Sequence, residues 1–372
     1  MLTAVIFIAI LGVLIFVHEL GHFVTARRNG VKVDEFGFGF PPRLGGFFRD
    51  EKTGKYKFVW GNKDIQSKNT LYSINWIPLG GFVKIKGADT IESGDDSFVE
   101  KKAWPRIKIL AAGVVMNFVF AWFLISLALI IGSPESISDN MNAPDAKIQI
   151  TEVSVGSPAE QAGIKVGDEI LNDNTQATFG NIEDVQNYIK ANKGTEISFN
   201  VLRGTEIVEV KVVPRENAPD QQGAIGVGLA RTMLVKYPVH QALWNGAVAV
   251  CNLTLMILLA LGGIIMSLFA GHGVGAEVSG PIGIAILTKQ VATLGFVYIL
   301  QFAAMLSINL AIINALPIPA LDGGRILFIL IEKIKGSPVT QKTEQMFHTV
   351  GFMLLILLMV IVTLRDVVKI IK

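Results

Sequence analysis

The chain has 372 residues, of which 51% are apolar and only 17% charged, and its mean hydropathy is +0.49. That composition excludes an ordinary soluble enzyme and points to a membrane-embedded protein with room for two or three domains. A net charge of +2 argues against a nucleic-acid partner, and the single cysteine, Cys251 in an apolar run, excludes an intrachain disulfide or a thiolate metal cluster.

Residues 1–28 are the first predicted element, a transmembrane helix whose apolar part runs over 1–26. A cleaved signal peptide fits less well: no basic segment follows Met1, no A-x-A-like site appears, and polar residues interrupt where cleavage would fall. Residues 29–103 follow as a polar loop. The stretch from Arg27 to Lys108 carries sixteen Lys or Arg against ten Asp or Glu, which marks the cytoplasmic side. Within it YSINWIPLGGFVKIKG, residues 72–87, alternates strand-formers around Gly80 and Gly81 and reads as a β-hairpin. Its edge is suited to an extended substrate; a plain hairpin without that role is the alternative.

A second span covers 104–132. Residues 145–216 then turn polar, with alternating runs such as KIQITEVSV and EIVEVKVV and one amphipathic helix, NIEDVQNYIKAN. This compact domain carries twelve acidic and seven basic residues, which places it on the opposite side from the first loop. Two further spans fall at 296–319 and 346–364, the first containing Gln301, Ser307, Asn309 and Asn314. The apolar run 240–270, inside an element set at 232–272, is long enough to cross. If it did, the ends of the first and third spans would lie on opposite faces, so it is expected to be interfacial or partly inserted. The fold class is therefore a polytopic α-helical membrane protein of about four spans with an inserted α+β domain.

The chemistry-bearing stretch is LGVLIFVHELGHF, residues 11–23. On a helix His18 and His22 project from one face with Glu19 beside them. This is H-E-x-x-H, in which two imidazoles hold zinc and the glutamate acts on the water that zinc binds. Ionisable groups at bilayer depth cost about 2.5–3.5 kcal/mol each on insertion scales, and metal ligation offsets that cost. Hydrogen bonds to neighbouring helices or to water at the membrane edge are the bland alternative. Catalytic zinc usually takes three protein ligands. The third is sought in SINLAIINALPIPALDGGRI, residues 307–326, where Pro317 and Pro319 end the span and Gly323 and Gly324 loosen the next turn. Asp322 then sits on irregular backbone at membrane depth, tolerated only inside protein or beside a water-filled cavity. A simple capping role for Asp322 at the following helix competes with ligation. His240, His272 and His348 lack partners at ligand spacing and read as interfacial or structural.

HELGH, the later ALDGG, and VGSPAEQAGIKVGDEIL in the polar domain together resemble the site-2 protease family, most closely its regulator of sigma-E protease branch. EFGFGFPPRL at 35–44, IPLGGFVKIKGAD at 77–89, AAGVVMN at 111–117 and SGPIGIA at 279–285 extend the likeness over nearly the whole chain. The resemblance implies Zn²⁺ held by His18, His22 and Asp322, and Glu19 as general base. Asn314 would steady substrate or the developing oxyanion, with a helix–helix hydrogen bond as the alternative. Asn117 has a packing role open to it and stays outside the catalytic set. The 145–216 domain resembles one PDZ module, where the best-known enterobacterial members carry two, and it would bind an extended peptide or act as a gate. The 72–87 hairpin would dip into the membrane. The implied activity is cleavage of single-pass membrane proteins such as anti-sigma factors or signal-peptide remnants, in the bacterial inner membrane, with the site towards the cytoplasm. A zinc transporter or sensor without hydrolysis is the second reading, and a silent PDZ scaffold the third.

Overall fold

The computed structural model describes residues 2–63, 65, 67–88, 92–139, 141, 143, 145–173, 179–219, 222–270, 280–337 and 339–371. His272 lies outside them. The chain divides into two compact units, one of 1–125, 243–288 and 301–372, the other of 126–242 and 289–300.

The first unit is built on α1 (Leu2–Arg28), an apolar helix with no acidic first turn and with Arg27 and Arg28 at its end. Its 27 residues rise about 40 Å, more than the ~30 Å hydrocarbon core. α1 lies directly against α2 (Ala103–Ile131): a Cβ on Gly21 would come within 2.4 Å of the Ala112 carbonyl oxygen. Small residues at such a crossing let two apolar helices touch backbone to backbone, which is how helices associate where no hydrophobic drive exists between them.

Three strands pack on α1: β1 (Val33–Arg49), β2 (Tyr56–Trp60) and β3 (Leu71–Ile85), in the order β2-β1-β3 and antiparallel. Phe36 of β1 pairs with both Tyr72 and Val83, so the first half of β1 lies between the two halves of β3. Phe36 stacks on Phe23 of α1 at 4.6 Å and meets Phe16 at 5.1 Å. Gly80, with φ of +90°, and Gly81 allow this contact, since a Cβ on Gly80 would press on Ile15 at 2.6 Å. The bends of β1 and β3 expose Phe38, Phe40, Trp76, Ile77 and Leu79, an apolar surface suited to lipid.

The remaining helices of this unit include α5 (Val239–Phe269), whose start joins α2 through Trp122 Nε1–H donating to the Leu243 carbonyl at 2.8 Å. α6 (Pro281–Leu294), α7 (Phe296–Ala315), α8 (Asp322–Lys335) and α9 (Gln341–Ile371) complete the chain. Asp366 of α9, buried, accepts the Gly283 N–H near the start of α6 at 2.8 Å. Among the described residues five helices are long and apolar enough to cross a membrane. They include Val239–Ser267, which is as long and apolar as the others although its run is expected to be interfacial.

The second unit holds one antiparallel sheet in the order β4-β9-β5-β6-β7-β8, formed by Ser133–Ser136, Val227–Val235, Lys147–Val153, Glu169–Asp173, Ile197–Arg203 and Glu206–Val212. Two helices, α3 (Pro158–Gln161) and α4 (Ile182–Ala191), accompany it. Alternate strand residues and the buried face of α4, Val185 and Ile189, enclose a core centred on Phe199. α4 begins with Asn181 and Asp184 in a capping box, and the Asp139 carboxylate accepts the Ile182 N–H at 2.9 Å. The buried Asp168 binds Arg203 through both carboxylate oxygens, at 2.8 and 2.6 Å. Phe199→Ala is expected to cost this unit about 3–5 kcal/mol. Hydrogen exchange should register it as lost amide protection in β5 to β8 with that of α1 and α2 unchanged; full protection in β7 would contradict the placement of Phe199 at the core centre.

Candidate active site

One turn of α1 separates His18 from His22, and both rings are buried, with 7% and 6% of their surface exposed. Their Nε2 atoms are 3.1 Å apart, although the two rings stand nearly perpendicular at 81°. Asp322, 304 residues further along from His18, brings Oδ2 to 3.0 Å from His18 Nε2 and 3.3 Å from His22 Nε2. Among the described residues this is the one group of three such side chains able to share a metal ion.

The spacing fits zinc. Bonds of 2.0–2.1 Å to nitrogen and oxygen in a tetrahedron place neighbouring ligand atoms about 3.3 Å apart, and the three distances here run from 3.0 to 3.3 Å. The opposite edge of one imidazole is tied as ligation requires: His22 Nδ1–H donates to the Ile109 carbonyl of α2 at 2.8 Å, which leaves Nε2 with a free lone pair. Gly113, one turn further along α2, keeps the space open. A Cβ there would lie 2.4 Å from His22 Nε2 and 2.8 Å from His18 Nε2.

Asp322 reaches the histidines through an irregular segment. α7 ends at Ala315, before Pro317 and Pro319, neither of which supplies an N–H to continue it. Ala320 takes φ of +76°, an uncommon value for a residue with a Cβ, and its N–H donates to Nδ1 of His348 on α9 at 2.8 Å. His348 thus holds the turn before the candidate ligand, a structural task. Gly323 and Gly324 let the start of α8 sit on the end of α7. A Cβ on Gly323 would meet the Leu316 carbonyl oxygen at 2.3 Å, and one on Gly324 the Ile318 oxygen at 2.2 Å. The residue at the N-cap of α8 is Leu321, with no side-chain cap bond, and the Asp322 carboxylate turns to the imidazoles rather than to its own helix.

A cavity of about 320 Å³ opens beside these groups, lined among others by Glu19, Val83 of β3, Asn314, Leu321 and Arg325. Glu19 and Asn314, singled out from sequence, therefore face one space together with the three candidate ligands. His240 is not among them. Asn117 is the residue that sequence reasoning left aside: it is fully buried, and its side-chain amide lies 3.3 Å from His18 Nδ1. The usable signal was the spacing of Gly113 and Asn117 in AAGVVMN, four residues apart on α2 as His18 and His22 are on α1.

The arrangement can bind a divalent cation with two imidazoles and one carboxylate and leave a position open to water, with a second carboxylate within the same cavity for proton transfer. Comparison with known proteins agrees with this chemistry. A protein of Clostridium acetobutylicum carrying a zinc metalloprotease designation is 33% identical over 364 residues, 98% of this chain and 97% of the relative. The Regulator of sigma-W protease RasP of Bacillus subtilis is 29% identical over 447 residues, 98% of each chain. Zinc metalloprotease RasP of Oceanobacillus iheyensis is 29% identical over 461 residues, 99% of each. Residues 6–358 match Peptidase family M50. With that match covering nearly its whole length, the chain belongs to peptidase family M50.

Proposed function

We propose that this protein is a zinc-dependent intramembrane endopeptidase that hydrolyses peptide bonds within or near the transmembrane segments of single-pass membrane proteins. One observation carries the reading: three ligand atoms from segments 304 residues apart converge within 3.3 Å, beside Glu19, with both imidazoles on a helix long and apolar enough to span a bilayer. His18, His22 and Asp322 would hold the zinc, which would supply there a bound water with its pKa lowered towards about 7 and a Lewis acid for the peptide carbonyl. Glu19 takes a proton from the attacking water and returns one to the leaving amine. Asn314, in the same cavity, steadies the substrate carbonyl as charge develops on its oxygen.

A transmembrane helix satisfies its own backbone and presents its carbonyls poorly, so the substrate must open locally before attack. The second half of β3, within 72–87, is placed to receive the opened strand: Val83 lines the cavity next to Glu19, and β3 is an edge of its sheet. The unit containing 145–216 works as a PDZ-like gate that admits substrates already trimmed of bulky outer domains. The protein sits in the bacterial inner membrane with this gate outside and the site towards the cytoplasm. Its substrates include membrane-bound regulators such as anti-sigma factors, in line with the regulatory name of the B. subtilis relative, and signal-peptide remnants.

Topology supports a partly inserted α5. α1 and α7 both carry their C-terminal ends to the site, so they run in the same direction through the bilayer. An even number of crossings must then separate α2 from α7, and the 14 residues of α6 rise only about 21 Å, short of a ~30 Å core.

The test is cleavage of a single-pass substrate in detergent micelles, trimmed and untrimmed, before and after zinc is removed by a chelator. Cleavage of the trimmed form that stops on chelation and returns with added zinc is expected. Zinc bound at one per chain without cleavage of any of several trimmed substrates would favour a transporter or sensor instead.

A further inference from the structure

The two candidate histidine ligands are held from behind by one stripe of α2. Ile109, Gly113 and Asn117 follow one another at four-residue spacing, so they lie on one helix face. Ile109 offers its carbonyl to His22 Nδ1 at 2.8 Å, Gly113 offers space, and Asn117 places its side-chain amide nitrogen 3.3 Å from His18 Nδ1. Asn117 has none of its surface exposed and is itself anchored, because Ser307 Oγ–H of α7 donates to its main-chain carbonyl at 2.8 Å. Its side-chain oxygen, also buried, has no hydrogen-bond partner among the described residues. A buried amide oxygen without a donor costs about 1–3 kcal/mol, which is reason to ask what donor it serves.

We propose that Asn117 is a positioning residue that sets the tautomer and ring orientation of His18 for metal binding. This rests on the reading of His18, His22 and Asp322 as a zinc site. An imidazole that gives its Nε2 lone pair to a metal carries its proton on Nδ1, and that N–H needs an acceptor. For His22 the acceptor is fixed, a main-chain carbonyl. For His18 the neighbouring group is an amide, whose oxygen and nitrogen exchange places by a half-turn about its last bond. With the oxygen towards His18, the orphaned acceptor gains its donor and the Nε2 lone pair points at Asp322 Oδ2 and His22 Nε2. With the nitrogen towards His18, the proton sits on Nε2 and His18 donates to Asp322 at 3.0 Å. The way the Asn117 amide is turned therefore selects the form of His18, whereas the Ile109 carbonyl fixes one form of His22.

The test measures zinc affinity of the full-length protein in detergent by competition with a chromophoric chelator, for the unaltered chain, Asn117→Leu and Asn117→Asp. The thermal midpoint of each zinc-free preparation is recorded alongside. Asn117→Leu keeps the size but removes the acceptor, and zinc binding should weaken by about 10- to 100-fold, the usual effect of losing such a partner. Asn117→Asp keeps an acceptor and cannot donate, so it should bind zinc as tightly as the unaltered chain or more so. A packing role alone would move thermal midpoints without separating the two variants in affinity. Asn117→Leu binding within twofold of the unaltered chain, or both variants weakened alike, would overturn the proposal. Should Asn117→Leu not fold, loss of zinc from folded Asn117→Asp would overturn it. If the unaltered chain itself holds no zinc, it is the zinc-site reading that fails, before Asn117 is reached.

Discussion

Glu19→Gln is expected to abolish cleavage while leaving zinc in place. Glu19 lines the cavity beside the three candidate ligands but is not one of them, so replacing its carboxylate by an amide of the same shape removes no metal–ligand bond. What disappears is a group able to take a proton and give it back. Positioned acid–base groups contribute about 10²- to 10⁴-fold to a rate, and the amide retains neither function. The measurement pairs the cleavage rate of a trimmed single-pass substrate with zinc content on the same preparations. A fall within that range at unchanged zinc supports the assignment. Retention of more than a tenth of the activity would remove Glu19 from the role of base, and loss of the metal would make it a ligand.

Gly113→Ala is expected to expel the metal although every ligand remains. The added methyl would lie 2.4 Å from His22 Nε2 and 2.7 Å from His18 Cε1, inside the distance any real Cβ keeps. Relief by moving α2 is blocked, since its neighbouring residue, Ala112, is already packed against Gly21 of α1 so closely that a Cβ on Gly21 would meet the Ala112 oxygen at 2.4 Å. The imidazoles must therefore turn away, and two nitrogens held 3.1 Å apart lose their common focus. Overpacking of this kind costs about 1–3 kcal/mol of stability in addition. Zinc content of the purified variant should fall by more than about tenfold, the lower end of what disturbing a ligand's support costs. A full complement of zinc in Gly113→Ala would mean that the ligands meet the metal from another side than the one α2 faces.

Part of this site was legible without coordinates because it depends on local periods. His18 and His22 share a face on any α-helix, and a helix of such apolar sequence has few places other than a bilayer to exist. Pro317, Pro319, Gly323 and Gly324 marked broken backbone around Asp322 for equally local reasons, the missing N–H of proline and the missing Cβ of glycine. Other features depend on which chain segments meet. The interleaving of β1 with β3 could not be read from alternation alone, since Phe36 pairs with residues 36 and 47 positions away, and each half of β3 has the same period. Val239–Phe269 has the composition of a span whichever way it lies, so hydropathy by itself was silent on its place.

Sequence by itself determined the spans as apolar helices, the helical pairing of His18 with His22, the presence of Glu19 beside them and the break that frees Asp322. Only the tertiary structure decided that Asp322 meets the two imidazoles at 3.0 and 3.3 Å, that His348 holds the Ala320 turn, and that Ile109, Gly113 and Asn117 support the histidines from α2. The physical reason is one of range. Helix period and backbone breaks are properties of neighbours in the chain, whereas the group behind an imidazole is whichever one packing brings there, in this case Asn117, 99 residues from His18.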